Sequence, residues 1–115
     1  MSEPQSVRNL TVLTRRAGIS RADFRRHWLD VHAPMVAELP HVLSYSQHHV
    51  ESSTTRSGFA TRDYEIDGFV DFRFDSADGM QKAFESDLGR SIMSDAQQFI
   101  ESMRVYTVTE HPIVG

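Results

Sequence analysis

The chain has no cysteine, which removes disulfide scaffolds, thiolate metal sites and thiol nucleophiles together. It has no surplus of basic charge: 12 Lys and Arg against 16 Asp and Glu leave a net charge of -4. A nucleic-acid surface needs clustered cations to neutralise phosphates. Here they are scattered, so no nucleic-acid partner is expected. No apolar run nears the roughly 18 residues of a membrane span. The opening "MSEPQSV" has no basic start backed by an apolar stretch, so no secretory leader is expected either. These absences read as a cytoplasmic protein. Glycine-rich phosphate loops, internal repeats and low-complexity segments are also missing.

What is present is enough for one core. At 115 residues and 39% hydrophobic content, the chain reads as a single domain, 1–115, with residues 1–6 a flexible N-terminus. "VRNLTVLT" from Val7 to Thr14 has the β-branched richness of a strand. A turn at Gly18 follows, and Ser20 with Asp23 makes a variant capping box for a helix. Along that helix Phe24, Trp28, Val31, Met35 and Leu39 recur at helical spacing, with Arg21, Arg25 and Arg26 off the stripe. Pro34 cannot donate an N–H and crowds the turn before it, so a kink or restart is expected near Ala33.

Leu43 to Glu51 alternates as a second strand, with Tyr45, Gln47 and His49 on one face. The polar run Ser52 to Asp63 is a long surface loop or lid. "IDGFVDFRF" is the clearest strand, putting Ile66, Gly68, Val70, Phe72 and Phe74 on one side. Helical spacing then runs through Met80, Ala83 and Phe84, is interrupted around Gly89, and resumes from Ile92 to Ile100. "SMRVYTVTE" closes as a strand. The order βαββαβ predicts an α+β, ferredoxin-like fold: a four-stranded antiparallel sheet with helices on one face. The other face, with Leu13, Phe69, Tyr106 and Val108, would be bare in a monomer, and a homodimer is the natural cover.

Without cysteine, the six histidines and nearby carboxylates are the groups able to do chemistry. His27 and His32, five apart, lie about 140° around an α-helix, and His48 and His49 point to opposite strand faces, so no histidine metal site is expected. His32 flanks the apolar stripe beside Pro34, where it can face a cavity while a freed carbonyl fixes its tautomer. It equally suits a histidine packed at a core edge and complementing the end of a helix. Tyr45, Gln47 and His49 either line a wet pocket with His32 or face solvent. Asp67 and Glu110 are candidates for orienting a histidine, or are simply solvated.

The helix "GISRADFRRHWLDVHAPMVAELP", then "YSQHHV", "YEIDGFVDFRFDS" and the closing "VTEH" together resemble the EthD family, named for ethyl tert-butyl ether degradation. The likeness runs from about Asn9 to His111. It implies a dimeric α/β barrel made of two stacked ferredoxin-like sheets, with a pocket in each subunit. Relatives of this kind act without metal or organic cofactor on cyclic or polyketide-derived compounds. The histidine of "HAP" matches His32, the aromatic of the second strand Tyr45 and the strand histidine His49. The loop Ser52 to Asp63 has no histidine, unlike isomerase-like relatives.

The expectation is therefore a cofactor-independent enzyme that moves a proton next to a carbonyl or phenol of a small cyclic or aromatic compound. His32 and His49 are the catalytic candidates. Tyr45, Gln47, Trp28, Phe24 and Phe72 would bind substrate, and Asp67 would sit behind them. Isomerisation, elimination, decarboxylation and oxygenation are all compatible with this start. The alternative is a non-catalytic small-molecule binding or accessory protein of a degradation pathway.

Overall fold

The computed structural model describes residues 5–63 and 65–115. Residues 1–4, which make up most of the expected flexible N-terminus 1–6, and Tyr64 lie outside the described residues. The elements run β1 (Val7–Arg15), α1 (Arg21–Arg26), a π-helical turn (His27–His32), α2 (Ala33–Ala37), β2 (Val42–His49), β3 (Gly68–Phe74), α3 (Ala77–Glu85), α4 (Asp87–Phe99) and β4 (Ile100–Val108). The strands form one antiparallel sheet in the order β2-β3-β1-β4. This is the expected βαββαβ, ferredoxin-like, α+β architecture. No helix among the described residues is long and apolar enough to cross a membrane.

Strand parity decides which residues meet the helices. In β1, Asn9, Thr11 and Leu13 are buried under them, while Leu10 and Val12 take the opposite face. Leu13 therefore does not belong to the bare face, as the sequence reading had it. It pairs with Gly68, and Val12 pairs with Phe69; directly paired residues share a face, so Val12 takes the place assigned to Leu13. The bare face carries Leu10, Val12, Phe69, Tyr106 and Val108, with an Arg8–Asp71 ion pair among them at 2.6 Å.

Helix starts follow their caps. Ser20 accepts from the Asp23 N–H at 3.0 Å and Ser76 from the Gly79 N–H at 2.9 Å, each satisfying one of the orphan donors of a first turn. The break between α3 and α4 falls at Ser86, not around Gly89. The Ser86 hydroxyl accepts from the Gly89 N–H at 3.0 Å, so it caps the second helix; Gly89 lies inside that helix, at a position where a Cβ would come within 2.3 Å of the Ala83 carbonyl oxygen.

The helix after β1 departs most from its sequence pattern. Phe24, Trp28, His32, Val36 and Leu39 are buried, whereas Val31 is 47% exposed. A π turn carries one more residue per turn than the α-helix, closing i→i+5 hydrogen bonds; here the Ala33 N–H reaches the Trp28 carbonyl. The extra residue advances the buried stripe by one, replacing Val31 with His32 and Met35 with Val36. The helix restarts at Ala33, where Pro34 was expected to interrupt it.

Two buried groups form the core. Leu13, Phe24, Trp28, Val70, Ala96, Phe99 and Ile100 make one, and Val36, Leu39, Ala83 and Ile92 the other; Tyr45 and Phe72 pack against both. β4 is scarcely covered on either face: Met103 and Val105, pointing to the helix side, are 40% and 54% exposed.

Gly68 is where β3 passes under the Trp28 ring. A Cβ there would lie 2.6 Å from the indole and 2.7 Å from the His48 carbonyl oxygen. Gly68→Ala is expected to cost about 1–3 kcal/mol through overpacking, read as a lower urea midpoint with an unchanged slope.

Candidate functional site

The space between the sheet and the helices is a cavity of about 370 Å³, within the range of roughly 300–1,000 Å³ common for small-molecule sites. Its walls are apolar: Trp28, Val36, Phe72, Phe84 and Ile92 inside, Met93, Met103 and Val105 toward the uncovered strand β4. Four polar side chains interrupt them, namely Asn9, Thr11, His32 and Tyr45.

His32 enters this wall because of the π turn. It is 7% exposed, and its Nδ1 donates to Asp95 Oδ2 of α4 at 2.8 Å. That bond fixes the neutral tautomer: Nδ1 carries the proton, and Nε2, which has no hydrogen-bond partner among the described residues, keeps its lone pair on a ring that lines the cavity. The partner is thus a carboxylate, not the freed backbone carbonyl expected from the sequence. Burial pushes the His32 pKa below the ordinary imidazole value, and Asp95 opposes this without cancelling it. At neutral pH the ring is an uncharged base with an anion behind it.

Tyr45 is held from the other side by β2. Gln47 donates through Nε2 to the Tyr45 hydroxyl oxygen at 2.7 Å and to the Trp28 carbonyl at 2.9 Å, while His49 Nε2 donates to Gln47 Oε1 at 2.9 Å. The Tyr45 oxygen is used as an acceptor, so its O–H remains able to donate. Burial pushes its pKa up, which keeps the phenol protonated at physiological pH. The His49 ring stacks on Trp28 with centroids 4.3 Å apart.

The structure divides the sequence candidates into groups. His32, Tyr45, Trp28 and Phe72 line the cavity. Gln47 and His49 do not: they line a separate cleft with Arg25, Leu29 and Glu51, to which Tyr45 also contributes. The inward face of β2 is crossed there by the Trp28 indole, which sits between His49 and the cavity wall. Phe24, fully buried, packs on Trp28 and Phe99 with centroids 5.5 Å away in each case and is core. Asp67 orients no histidine. Its carboxylate accepts from the Arg15 backbone N–H at 2.7 Å and faces Arg15 Nε at 3.4 Å, because it directly precedes β3 beside the end of β1. Glu110 likewise pairs with Arg8.

Asp95, Asn9 and Thr11 were missed. Asp95 lies one residue before Ala96 on the buried stripe of α4, a faint sign of an inward carboxylate. Asn9 and Thr11 share parity with Leu13, which was the available signal for polar groups under the helices. His27 is the other surprise. Its Nε2 lies 2.9 and 3.1 Å from the two Asp95 oxygens, so His27 and His32 converge on one carboxylate instead of diverging by 140°. Residues five apart stack on one face of a π turn. Among the described residues no group of three or more His, Cys, Asp or Glu has metal-holding geometry.

The EthD domain model matches residues 16–102. An ethyl tert-butyl ether degradation (EthD) family protein from Bacillus halodurans C-125 superposes with a TM-score of 0.68 at 18% identity, covering 91% of this chain and 99% of that one. A dimeric ferredoxin-like protein of unknown function from Thermobifida fusca gives 0.69 at 12% identity, over 96% and 100%. SnoaB, a cofactor-independent oxygenase from Streptomyces nogalater, gives 0.62 at 11% identity, over 96% and 99%. At these identities the likeness is one of fold. No curated protein matches in sequence.

Replacing Asp95 by Asn removes the one group that raises the His32 pKa, so the imidazole should titrate lower still in Asp95→Asn, checked by NMR of the ring nitrogens. A depressed folded pKa also has a sign for stability. The unfolded chain protonates first as pH falls from the ordinary histidine value, so stability is full above that value and declines below it. Denaturation at about pH 7.5 and about pH 5.5 should show this decline in the wild type and a smaller one in His32→Gln.

Proposed function

This chain belongs to the EthD domain family, and from that premise we propose that it is a cofactor-independent enzyme that uses His32 as a general base on a small cyclic or aromatic carbonyl or phenolic compound. The observation that carries the reading is an Asp95-held imidazole in the wall of an apolar cavity, with Nε2 free of hydrogen-bond partners among the described residues. A buried base with a lowered pKa is deprotonated and ready at neutral pH, and a carboxylate behind it stabilises the imidazolium that forms.

His32 Nε2 takes a proton from a carbon beside the substrate carbonyl, or from a phenolic oxygen. In the carbon case the C–H electron pair becomes a C=C bond and the carbonyl π pair moves to oxygen, giving an enolate. Tyr45 O–H donates to that oxygen, worth more in an apolar site than in water. Return of the proton from His32 to a different carbon completes an isomerisation; expulsion of a leaving group completes an elimination. An electron-rich enolate or phenolate is also the species that reacts with dioxygen without a cofactor. SnoaB, similar in fold and described as a cofactor-independent oxygenase, makes oxygenation a member of the set to test.

In this reading His49 and Gln47 act on Tyr45 and not on the substrate, by holding its hydroxyl oxygen. Trp28 and Phe72 shape the wall. The bare sheet face of Leu10, Val12, Phe69, Tyr106 and Val108 is covered by a second copy of the chain, stacking two sheets into a dimeric barrel. The Thermobifida fusca relative in fold is described as dimeric, which supports this assembly.

Wild type and His32→Ala are to be titrated with aromatic lactones, anthrones and phenols, following binding and spectral change over time. Turnover should fall roughly 10²–10⁴-fold in the variant. In the wild type kcat/KM should rise with pH through the lowered His32 pKa and flatten by neutrality. Binding without turnover that survives His32→Ala would make the protein a small-molecule binder. Light scattering should give about twice the monomer mass of 13.1 kDa; a monomer at micromolar concentration would remove the barrel.

A further inference from the structure

The reading of His32 as a base leaves His27 unexplained. Its ring rests on Phe99 with centroids 4.6 Å apart, and His32 meets the same phenyl edge-on at 5.2 Å. Both histidines reach Asp95, whose side chain is 15% exposed, while the His27 side chain is 31% exposed. His32 belongs to the cavity wall; His27 lines an outer cleft. One carboxylate therefore joins a histidine inside the protein to one in contact with solvent.

The hydrogen-bond inventory constrains both rings. A neutral imidazole has one N–H, and an ionised carboxylate only accepts. With both rings neutral, His32 donates from Nδ1 and His27 from Nε2, which leaves one lone pair on His32 Nε2 and one on His27 Nδ1. A proton added at either lone pair makes an imidazolium against Asp95. The carboxylate has a single negative charge for two such cations, so the first is stabilised by it and the second meets a neutralised partner and a like charge.

Among the described residues, the other charged groups do not supply a second anion to His32. Asp23, Arg26 and Asp30 share the outer cleft with His27, and Arg26 is paired with Asp23. Among the described residues, Tyr45, from β2, is the other titratable side chain on the cavity wall, and burial keeps its phenol protonated. Asp95 is what α4 presents to both rings.

We propose that His27 is a positioning residue for Asp95 and that protonation of His27 from solvent and protonation of His32 in the cavity are negatively coupled through that shared carboxylate. This rests on the assignment of His32 as the base only for its functional meaning: a proton on His27 disfavours one on His32 and keeps that ring free to accept a substrate proton. The coupling itself is a property of the three side chains and needs no substrate.

The test is a pH titration of the full chain with labelled histidine, observing the ring nitrogens of His27 and His32 by NMR. In the wild type each ring should show two steps with the same pair of midpoints, the signature of interacting sites. The neutral forms should be the Nδ1–H tautomer for His32 and the Nε2–H tautomer for His27. His27→Gln keeps an N–H donor for Asp95 but cannot charge; it should reduce His32 to one step and move its midpoint up by about one unit or more. His111→Gln, at an exposed position, should leave His32 unmoved. A single-step His32 titration in the wild type, the opposite tautomer at either ring, or a His32 midpoint unchanged in His27→Gln would each overturn the proposal. Turnover absent with the coupled titration intact would defeat the base reading alone; turnover present with independent titrations would defeat the coupling alone.

Discussion

The missing N–H of Pro34 is the constraint around which the site is arranged. An α-helix running through Pro34 would ask for a hydrogen bond to Asp30 that proline cannot give, and its ring would press on that carbonyl. The chain answers one turn earlier. From His27 to His32 it widens into a π turn, and the Ala33 N–H closes onto the Trp28 carbonyl five residues back. That carbonyl also accepts from Gln47 of β2, so the irregular turn is tied to the sheet. π turns are uncommon and recur at functional sites; here the turn carries His32 into the cavity wall and sets His27 on the same side.

Two opposing effects then decide the chemistry of that wall. Apolar surroundings disfavour charge on the imidazole, and Asp95 favours it; the burial effect is the larger, so the ring is neutral in the resting protein. The same low dielectric strengthens whatever stabilises a charge once a ligand excludes water. Tyr45 obeys the same logic with the opposite sign, since burial keeps its phenol protonated. A neutral base and a neutral acid face one cavity, and each is fixed by a partner outside it, Asp95 for one and Gln47 for the other.

Much of the fold was legible in residue patterns. The six stretches of strand or helix period, the Ser20 cap and the antiparallel sheet follow from local spacing and from a cap that satisfies an orphan N–H group. The errors came where register depends on a partner. Leu13 was put on the wrong face because strand parity within β1 says nothing about which face the helices cover; the pairing with Gly68 decides it. Val31 and Met35 were read into the buried stripe because an α period was assumed across a turn that is not α. Gly89 suggests a break by its type alone, yet its lack of a Cβ is what lets α4 pass close to the end of α3.

His32 could be singled out from the sequence because the residues themselves carry the signal: an imidazole beside an apolar stripe, two residues before a proline. Tyr45, Gln47 and His49 were legible as one strand face for the same reason, since alternation is a property of the backbone. Asp95 was not, and neither was its convergence with His27. Those three side chains come from the two helical arms of the fold, 63 and 68 residues apart in the chain, and are joined only when both arms pack on one sheet. Local periodicity fixes which side a residue takes within its own element. Which carboxylate meets which imidazole, and that Trp28 stands between His49 and the cavity, is set by packing between elements, a long-range constraint that no single stretch of sequence contains.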